Sequence, residues 1–202
     1  MNKVLNVKKS ERDERDYILE ILVGVNNLNK SSSICDYRND LLEVRDQGSQ
    51  GTCYAQSAAC MKEWQEKKDY GLNEYLSPQF FYNNRNYWND DKQDGNDINE
   101  DNGMTGRDVM RILKNIGICR EDEYPYYKIE KACEIPAEIY ESASKNKIKS
   151  YARIYSIDGL KHSLKCNGPC LITFPVFNYG SEMWIQNNGE EMMGGHAMTV
   201  VG

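Results

Sequence analysis

A cysteine and a histidine are the residues of this 202-residue chain that are best suited to carry out a reaction. Cys53 opens a run with helical character, and His196 follows it by 143 positions (196 − 53). A thiol attacks as the thiolate, and a helix N-terminus and a nearby imidazolium both lower its pKa. Gln47, six residues before Cys53, adds a side-chain amide to the set. Together the three residues predict a nucleophilic thiol, with a small buried structural cysteine as the alternative.

The choice of a base is narrow, because the chain contains two histidines. His162 lies among charged residues in a short helical run, where a surface side chain is expected. His196 follows two glycines and precedes the apolar residues 197–201, so its imidazole can project from the beginning of a strand. We therefore predict that His196 acts as base and acid, with a packed core histidine as the alternative.

The residues around Cys53 resemble a known active-site segment. Residues 44–55 read VRDQGSQGTCYA. They resemble the nucleophile segment of papain-like cysteine peptidases, which has the pattern C-G-[SA]-C-[WY] and a histidine roughly 130–150 residues downstream. Gly51, Cys53 and Tyr54 fit that pattern, whereas two positions depart from it, Gln50 and Thr52.

The resemblance covers about residues 31–202 and is closest to the disulfide-poor bacterial and viral branch of the family. Short segments occur in the family's order and approximate spacing: LSPQ at 76–79, DNG at 101–103, GIC at 117–119, YPY at 124–126 and GGHA at 194–197. Each is a weak signal alone, and their ordered occurrence is a strong one.

The resemblance implies hydrolysis of peptide bonds through an acyl-enzyme. The Cys53 thiolate attacks the carbonyl, and His196 protonates the leaving amine and then activates water. The Gln47 side-chain amide and the Cys53 backbone N–H are expected to hold the oxyanion. No metal or cofactor is expected.

An extended polypeptide substrate is expected to bind the loop around Gly103 through its main chain, as an added strand. Gly103, Met104 and Gly195 are therefore the candidate substrate-binding residues. The family has a second glycine where this chain has Met104, so that side chain is expected either to narrow the subsites or to pack inward.

The third catalytic member of the family has no counterpart here. An Asn-Ser-Trp-Gly segment normally follows the histidine, its asparagine orienting the imidazole, but Gly202 comes only six residues after His196. Either the sequence is a shortened form of a longer protein, or the protein is a weak or inactive papain-like module that binds a peptide or partner. We favour the first, because a strand-forming run rarely ends a chain without a partner. A transamidase or deubiquitinase also stays open, since fold and dyad do not fix the acyl acceptor.

A helix from Cys53 to about Asp69 is predicted to carry the proposed nucleophile at its first turn. Gly71 is placed to end it. Its inward face is expected to contain four residues, Ala55, Ala58, Ala59 and Trp64.

Two further helices are predicted in the first half of the chain. Ser77 is a suitable cap for one that runs to Tyr87. Thr105, followed three residues later by Asp108, resembles the capping box of another, which Gly117 ends.

The second half changes to strand-like sequence. Strands are predicted within Lys147–Tyr155, Cys170–Phe174 and Ala197–Val201, with a short helix within Asp158–Cys166. This order predicts an α+β protein, and the resemblance makes it a papain-like two-lobe fold with the active-site cleft between a helical lobe and a strand-rich, partial-barrel lobe.

The predicted organisation is a polar N-terminal extension over residues 1–30 and one peptidase domain over residues 31–202. The helical lobe is expected at about 45–130 and the strand-rich lobe at about 131–202, which is expected to be incomplete at its C-terminal end. Inhibitory prosegments in the family are much longer helical elements, so no conventional zymogen is expected. Residues 90–97 are expected to form a solvated acidic loop.

The composition excludes several function classes. A net charge of −6 without a dense basic run argues against nucleic-acid binding, and no signal peptide or membrane span is predicted. Seven cysteines cannot all pair. Gln50 and Asp101 occupy the places of a disulfide found in extracellular relatives, so a reducing compartment is expected, either cytoplasmic or virus-associated. The six cysteines besides Cys53 are expected to be buried. The oligomeric state is left open.

Overall fold

The computed structural model describes residues 4–28, 34–85 and 101–202. In these ranges the chain forms α-helices and a two-stranded antiparallel sheet. The helices are α1 (Leu19–Val23), α2 (Cys53–Tyr70), α3 (Pro78–Asn83), α4 (Gly106–Asn115), α5 (Ala137–Ala143) and α6 (Ile157–Asn167), and the strands are β1 (Cys170–Val176) and β2 (Gly194–Val200). The acidic loop predicted at residues 90–97 lies outside the described residues.

The central helix α2 begins at Cys53, as predicted, and packs against α3, α4 and both strands. Its predicted inward face is confirmed, since Ala55, Ala58, Ala59 and Trp64 are all buried. Gly71 ends the helix in the left-handed conformation (φ 72°) and donates its N–H to the carbonyl of Lys67 at 3.0 Å.

Side-chain caps begin α3 and α4. The Ser77 hydroxyl accepts from the N–H of Phe80, and the Thr105 hydroxyl accepts from the N–H of Asp108. The predicted end of α3 at Tyr87 is wrong, because the helix ends at Asn83. The side chain of Asn84 turns back to donate to the Phe80 carbonyl at 2.8 Å, which closes the last turn.

The two predicted strands at 170–174 and 197–201 are confirmed, and β2 begins earlier, at Gly194. His196 therefore lies within the strand and opposite Phe174, rather than ahead of it. Helix α6 confirms the predicted helix and ends at Asn167, and Gly168 follows it with φ 88°. A Cβ at Gly168 would lie 2.2 Å from the Trp64 ring, so glycine allows the turn after α6 to pack on α2.

The strand predicted within Lys147–Tyr155 is wrong. In the described part of the chain this segment makes one isolated bridge, between Arg153 and Ile18, and joins no sheet. Glu20 accepts the backbone N–H groups of Tyr155 and Ser156 at 2.9 and 2.8 Å. The backbone of this segment is thus paired partly with the N-terminal extension and partly with α4, because the Ile148 N–H donates to the Leu113 carbonyl at 3.1 Å. The α+β class is confirmed, with a sheet of two strands among the described residues.

The main core joins α2 to α3, α4 and the loops that follow α4. Phe80 packs edge-on against Tyr124 and Tyr140, with ring centroids 5.9 and 5.4 Å apart. Ser77 is fully buried as well, and its hydroxyl also donates to the Tyr124 carbonyl at 2.6 Å.

Replacing Ser77 with alanine removes the cap of α3 and leaves a buried carbonyl without its donor. We expect Ser77→Ala to lower the free energy of unfolding by about 1–3 kcal/mol. Urea denaturation measures this, with Ser144→Ala at the exposed end of α5 as the control, expected within about 0.5 kcal/mol of wild type. Equal stability of the two variants would contradict the proposed role of the cap.

Candidate active site

Cys53 lies where the first turn of α2 meets β2. It is 2% exposed, and the backbone N–H of Ala197 in β2 hydrogen-bonds to its sulfur. A second bond joins the same elements one turn further along α2, where the Thr199 hydroxyl donates to the Ser57 carbonyl at 2.9 Å. These contacts bring the cysteine next to the residue that follows His196.

The environment of the thiol combines opposing effects. Burial raises the pKa of Cys53 above its ordinary value, because the thiolate loses hydration. The N–H groups of Ala197, Tyr54 and Cys53 itself act to lower the pKa, and the carboxylate of Asp101 acts to raise it. The position of Cys53 at a helix N-terminus predicts a lowered pKa. The N–H groups have that effect on the thiol, but burial outweighs them in this structure.

His196 and Gln47 line one open pocket of about 340 Å³, together with residues 44–46. His196 is half-buried, and its ring meets the Phe174 ring edge-on at 5.8 Å. His162 lies on α6, where it is partly exposed. Of the two candidate bases, His196 is therefore the one that shares a pocket with Gln47.

The Gln47 side chain is held inside the loop that precedes α2. It is 7% exposed, and its Nε2 donates to the Gln50 carbonyl at 2.9 Å and to the Val4 carbonyl at 3.4 Å. The backbone carbonyl of Gln47 accepts a hydrogen bond from the Tyr126 hydroxyl at 2.8 Å. The amide expected to hold an oxyanion thus faces a carbonyl of the N-terminal extension.

Residues 4–8 of the extension lie along the predicted substrate-binding residues. Asn6 forms a parallel bridge with Gly195, Lys8 forms one with Thr105, and the Lys8 N–H donates to the Met104 carbonyl at 3.0 Å. Met104 is 2% exposed, so its side chain packs inward rather than narrowing the subsites.

Glycines make this close approach possible. A Cβ at Gly51 would lie 2.0 Å from the Asn6 side chain, and one at Gly103 would lie 2.0 Å from the Asn6 carbonyl. At Gly194 it would lie 2.2 Å from the Leu5 carbonyl. In the sequence, the one signal for this placement is the apolar run Val4, Leu5 and Val7 within an otherwise charged extension.

Asp101 is a site residue whose role the sequence did not reveal. Its carboxylate accepts from the Gly51 N–H at 2.7 Å and from the Tyr82 hydroxyl, which in turn accepts from the Gly103 N–H at 3.1 Å. Hydrogen bonds therefore join the loop before Cys53 to the loop at Gly103. In the sequence, the indication of a special role was that Asp101 stands where extracellular relatives have a disulfide-bonded cysteine.

All seven cysteines lie in the described ranges, and none is in a disulfide. Cys119 and Cys170 are buried as expected, but Cys133 and Cys166 are exposed, so the prediction of uniform burial is wrong. Both exposed cysteines lie at element ends, in a 3-10 turn and in the last turn of α6, where they cannot reach the core.

Neither a metal site nor a membrane-spanning helix is present in the part of the chain that the structure describes. No group of three or more His, Cys, Asp or Glu side chains is arranged there to hold a metal ion. Within the same ranges, no helix is long and apolar enough to cross a membrane.

The sequence model of the papain family of cysteine proteases matches residues 31–202. The chain belongs to this family. Among curated proteins, the uncharacterized peptidase C1-like protein L477 of Acanthamoeba polyphaga mimivirus is 28% identical over 174 residues, which are 78% of this chain and 54% of that protein. The chain therefore spans about half the length of the curated relative that it matches.

Solved structures confirm the papain-like fold. Xylellain, a cysteine protease from Xylella fastidiosa, superposes with a TM-score of 0.74 at 22% sequence identity. The superposition covers 98% of this chain and 78% of the xylellain chain. Procathepsin L 3 from the larval midgut of Tenebrio molitor gives a TM-score of 0.59 at 18% identity, covering 86% of this chain and 57% of its own. At these identities the likeness establishes the fold alone.

Removing the charge of Asp101 tests its electrostatic effect on Cys53. We expect Asp101→Asn to move the pH midpoint of Cys53 alkylation downward, because a nearby anion disfavours the thiolate. Iodoacetamide labelling, mapped by mass spectrometry across pH, gives the midpoint. Asp122→Asn, in the exposed pair with Arg120, is the control and should leave it unchanged. An unchanged or higher midpoint in Asp101→Asn would contradict this account.

Proposed function

We propose that the chain is a papain-family cysteine endopeptidase that uses Cys53 as nucleophile and His196 as base and acid. The observation that carries the proposal is the contact between the first turn of α2 and β2. There the Cys53 sulfur meets the amide next to His196, while His196 and Gln47 line the same pocket. A nucleophile and a base on facing elements, beside an amide donor, suit acyl transfer through a thiol.

In the proposed mechanism the Cys53 thiolate attacks the peptide carbonyl carbon, and the oxyanion accepts hydrogen bonds from the Gln47 amide and the Cys53 N–H. The C–N bond breaks as His196 gives its proton to the leaving amine, which leaves a thioester on Cys53. His196 then takes a proton from water, whose oxygen attacks the thioester carbon; the C–S bond breaks, which releases a carboxylic acid and restores the Cys53 thiolate beside a protonated His196. The steps need only side chains and water.

The substrate is proposed to be an extended polypeptide that pairs along Gly103, Met104 and Gly195. The bridges that residues 4–8 make with Gly195 and Thr105 support this mode, because they indicate that an extended segment fits these backbone groups. The seven free thiols support action in a reducing compartment, cytoplasmic or virus-associated.

Three matched pairs of variants test these roles. We expect Cys53→Ala and His196→Ala to remove turnover of a mixed peptide library, because they delete the nucleophile and the base. Gln47→Ala should lower turnover by about 10²–10³-fold, the usual effect of losing one oxyanion donor.

The controls are Cys60→Ala, two turns along α2, His162→Ala on α6, and Gln50→Ala in the same loop as Gln47; each should keep turnover within a few-fold. Library binding without turnover by the wild-type chain would favour the binding module instead. Loss of activity in the controls as well would show that the assay reports damage to the fold.

A further inference from the structure

Arg45 lies in the wall of the pocket that contains Gln47 and His196. It comes two residues before Gln47, in the loop that leads to Cys53, and its side chain is only 18% exposed. A cation that is largely removed from water is stable only with compensating partners. Neither proton transfer nor substrate pairing in the proposed mechanism uses this charge.

The Arg45 guanidinium joins three parts of the protein. One nitrogen donates to Glu63 Oε1 at 2.8 Å, in the third turn of α2. The other donates to Glu121 Oε2 at 2.6 Å, in the segment after α4, and to the Leu76 carbonyl at 2.9 Å, just ahead of α3. The planar fork of arginine suits several acceptors at once, whereas lysine offers a single point charge.

Glu63 is the more protected of the two carboxylates, at 6% exposed against 24% for Glu121. The Leu76 N–H also donates to its Oε1 at 2.8 Å. Burial raises the pKa of Glu63, and the Arg45 guanidinium acts to lower it. The Tyr75 ring lies 4.9 Å from the guanidinium. The Arg45–Glu63 pair is therefore a fixed link between the loop and α2, unlike a solvated surface ion pair.

The two proposed oxyanion donors lie on either side of this link. The Gln47 amide belongs to the loop, and the Cys53 N–H belongs to the first turn of α2. Both donors must be aimed at one point before the reaction, and a misplacement of about 1 Å can cost about 10²-fold in rate. The Gln47 carbonyl is anchored to Tyr126, which follows Glu121 in the segment after α4. That segment thus supports the loop at two points.

We propose that Arg45 is a positioning residue that holds the Gln47 amide and the Cys53 N–H in the geometry that an oxyanion requires. This inference rests on the proposed function and adds a residue to its machinery. Arg45 does not touch the substrate; it acts through Gln47 by tying the loop to Glu63 and Glu121. Its loss therefore affects the tetrahedral stage of the reaction more than the binding of the peptide.

The test uses the full chain with Arg45→Lys. Lysine keeps the positive charge beside Glu63 but cannot reach both carboxylates and the Leu76 carbonyl together. Glu121→Gln is a second variant, which weakens the outer contact and leaves the Arg45–Glu63 pair in place.

Arg120→Lys is the matched control. Arg120 is the neighbour of Glu121 in sequence, but its ion-pair partners are two exposed carboxylates, Asp122 and Glu74. Circular dichroism and urea denaturation check that each variant is folded under the assay conditions.

The first readout is turnover of the best-cleaved library peptide across a range of concentrations, which separates kcat from KM. We expect Arg45→Lys to lower kcat by about 10–100-fold and to leave KM within about three-fold of wild type, because the lost interaction belongs to the transition state. Glu121→Gln should lower kcat by about 3–10-fold, and Arg120→Lys should stay within about two-fold of wild type.

Combining Arg45→Lys with Gln47→Ala shows whether Arg45 acts through Gln47. We expect the double variant to have a kcat within about two-fold of Gln47→Ala alone, because the amide that Arg45 positions is then absent. Losses that multiply in the double variant would overturn the inference, since Arg45 would then act by another route.

A leucine-tripeptide aldehyde gives a second readout that needs no turnover. The Cys53 sulfur bonds to the aldehyde carbon and the thiol proton passes to the oxygen, with no leaving group, so the adduct resembles the tetrahedral stage. We expect Arg45→Lys and Gln47→Ala each to weaken aldehyde binding by about 10-fold or more. Binding of the matching tripeptide alcohol, which forms no adduct, should change by less than about two-fold.

The two readouts separate the positioning role from the proposed function. Aldehyde binding without turnover in the wild-type chain counts against the peptidase, and the aldehyde affinities then decide the role of Arg45. Equal aldehyde affinity in wild type and Arg45→Lys overturns the inference, whatever the turnover. A wild-type chain that neither binds the aldehyde through Cys53 nor cleaves the library overturns both proposals.

Discussion

The contact between the first turns of α2 and strand β2 is the constraint on which the rest of the site depends. The helix carries Cys53 and the strand carries His196, so this contact decides whether the thiol and the imidazole can act together in the proposed mechanism. Two hydrogen bonds hold α2 and β2 together. The Ala197 N–H donates to the Cys53 sulfur, and the Thr199 hydroxyl donates to the Ser57 carbonyl. Pairing of β2 with β1 holds in place the strand that carries His196.

Burial where α2 meets β2 also accounts for the state of the thiol. A thiolate is costly to bury without full compensation, and in this structure burial outweighs the N–H groups that would favour the anion. The Asp101 carboxylate adds to this effect, because it also disfavours the thiolate. The same side chain accepts a hydrogen bond from the Asn6 side chain, so it contacts both the N-terminal extension and the surroundings of the thiol.

The sequence predicted the local elements better than their long-range partners. The start of α2 at Cys53 and its end at Gly71 follow from periodicity and glycine chemistry within the helix itself. The strand predicted at residues 147–155 is wrong because β-branched residues favour extended backbone but do not specify a partner strand. The position of residues 4–8 depends on contacts with Gly195 and Thr105, far along the chain, and no local pattern specifies them.

Covalent capture by a peptidyl epoxide tests the central claim most directly, because it requires a nucleophile, a general acid and a peptide-binding groove together. Mass mapping of the wild-type chain should find the adduct on Cys53 alone among the seven thiols. Adducts spread over the exposed thiols of Cys133 and Cys166, with Cys53 unmodified, would contradict the account.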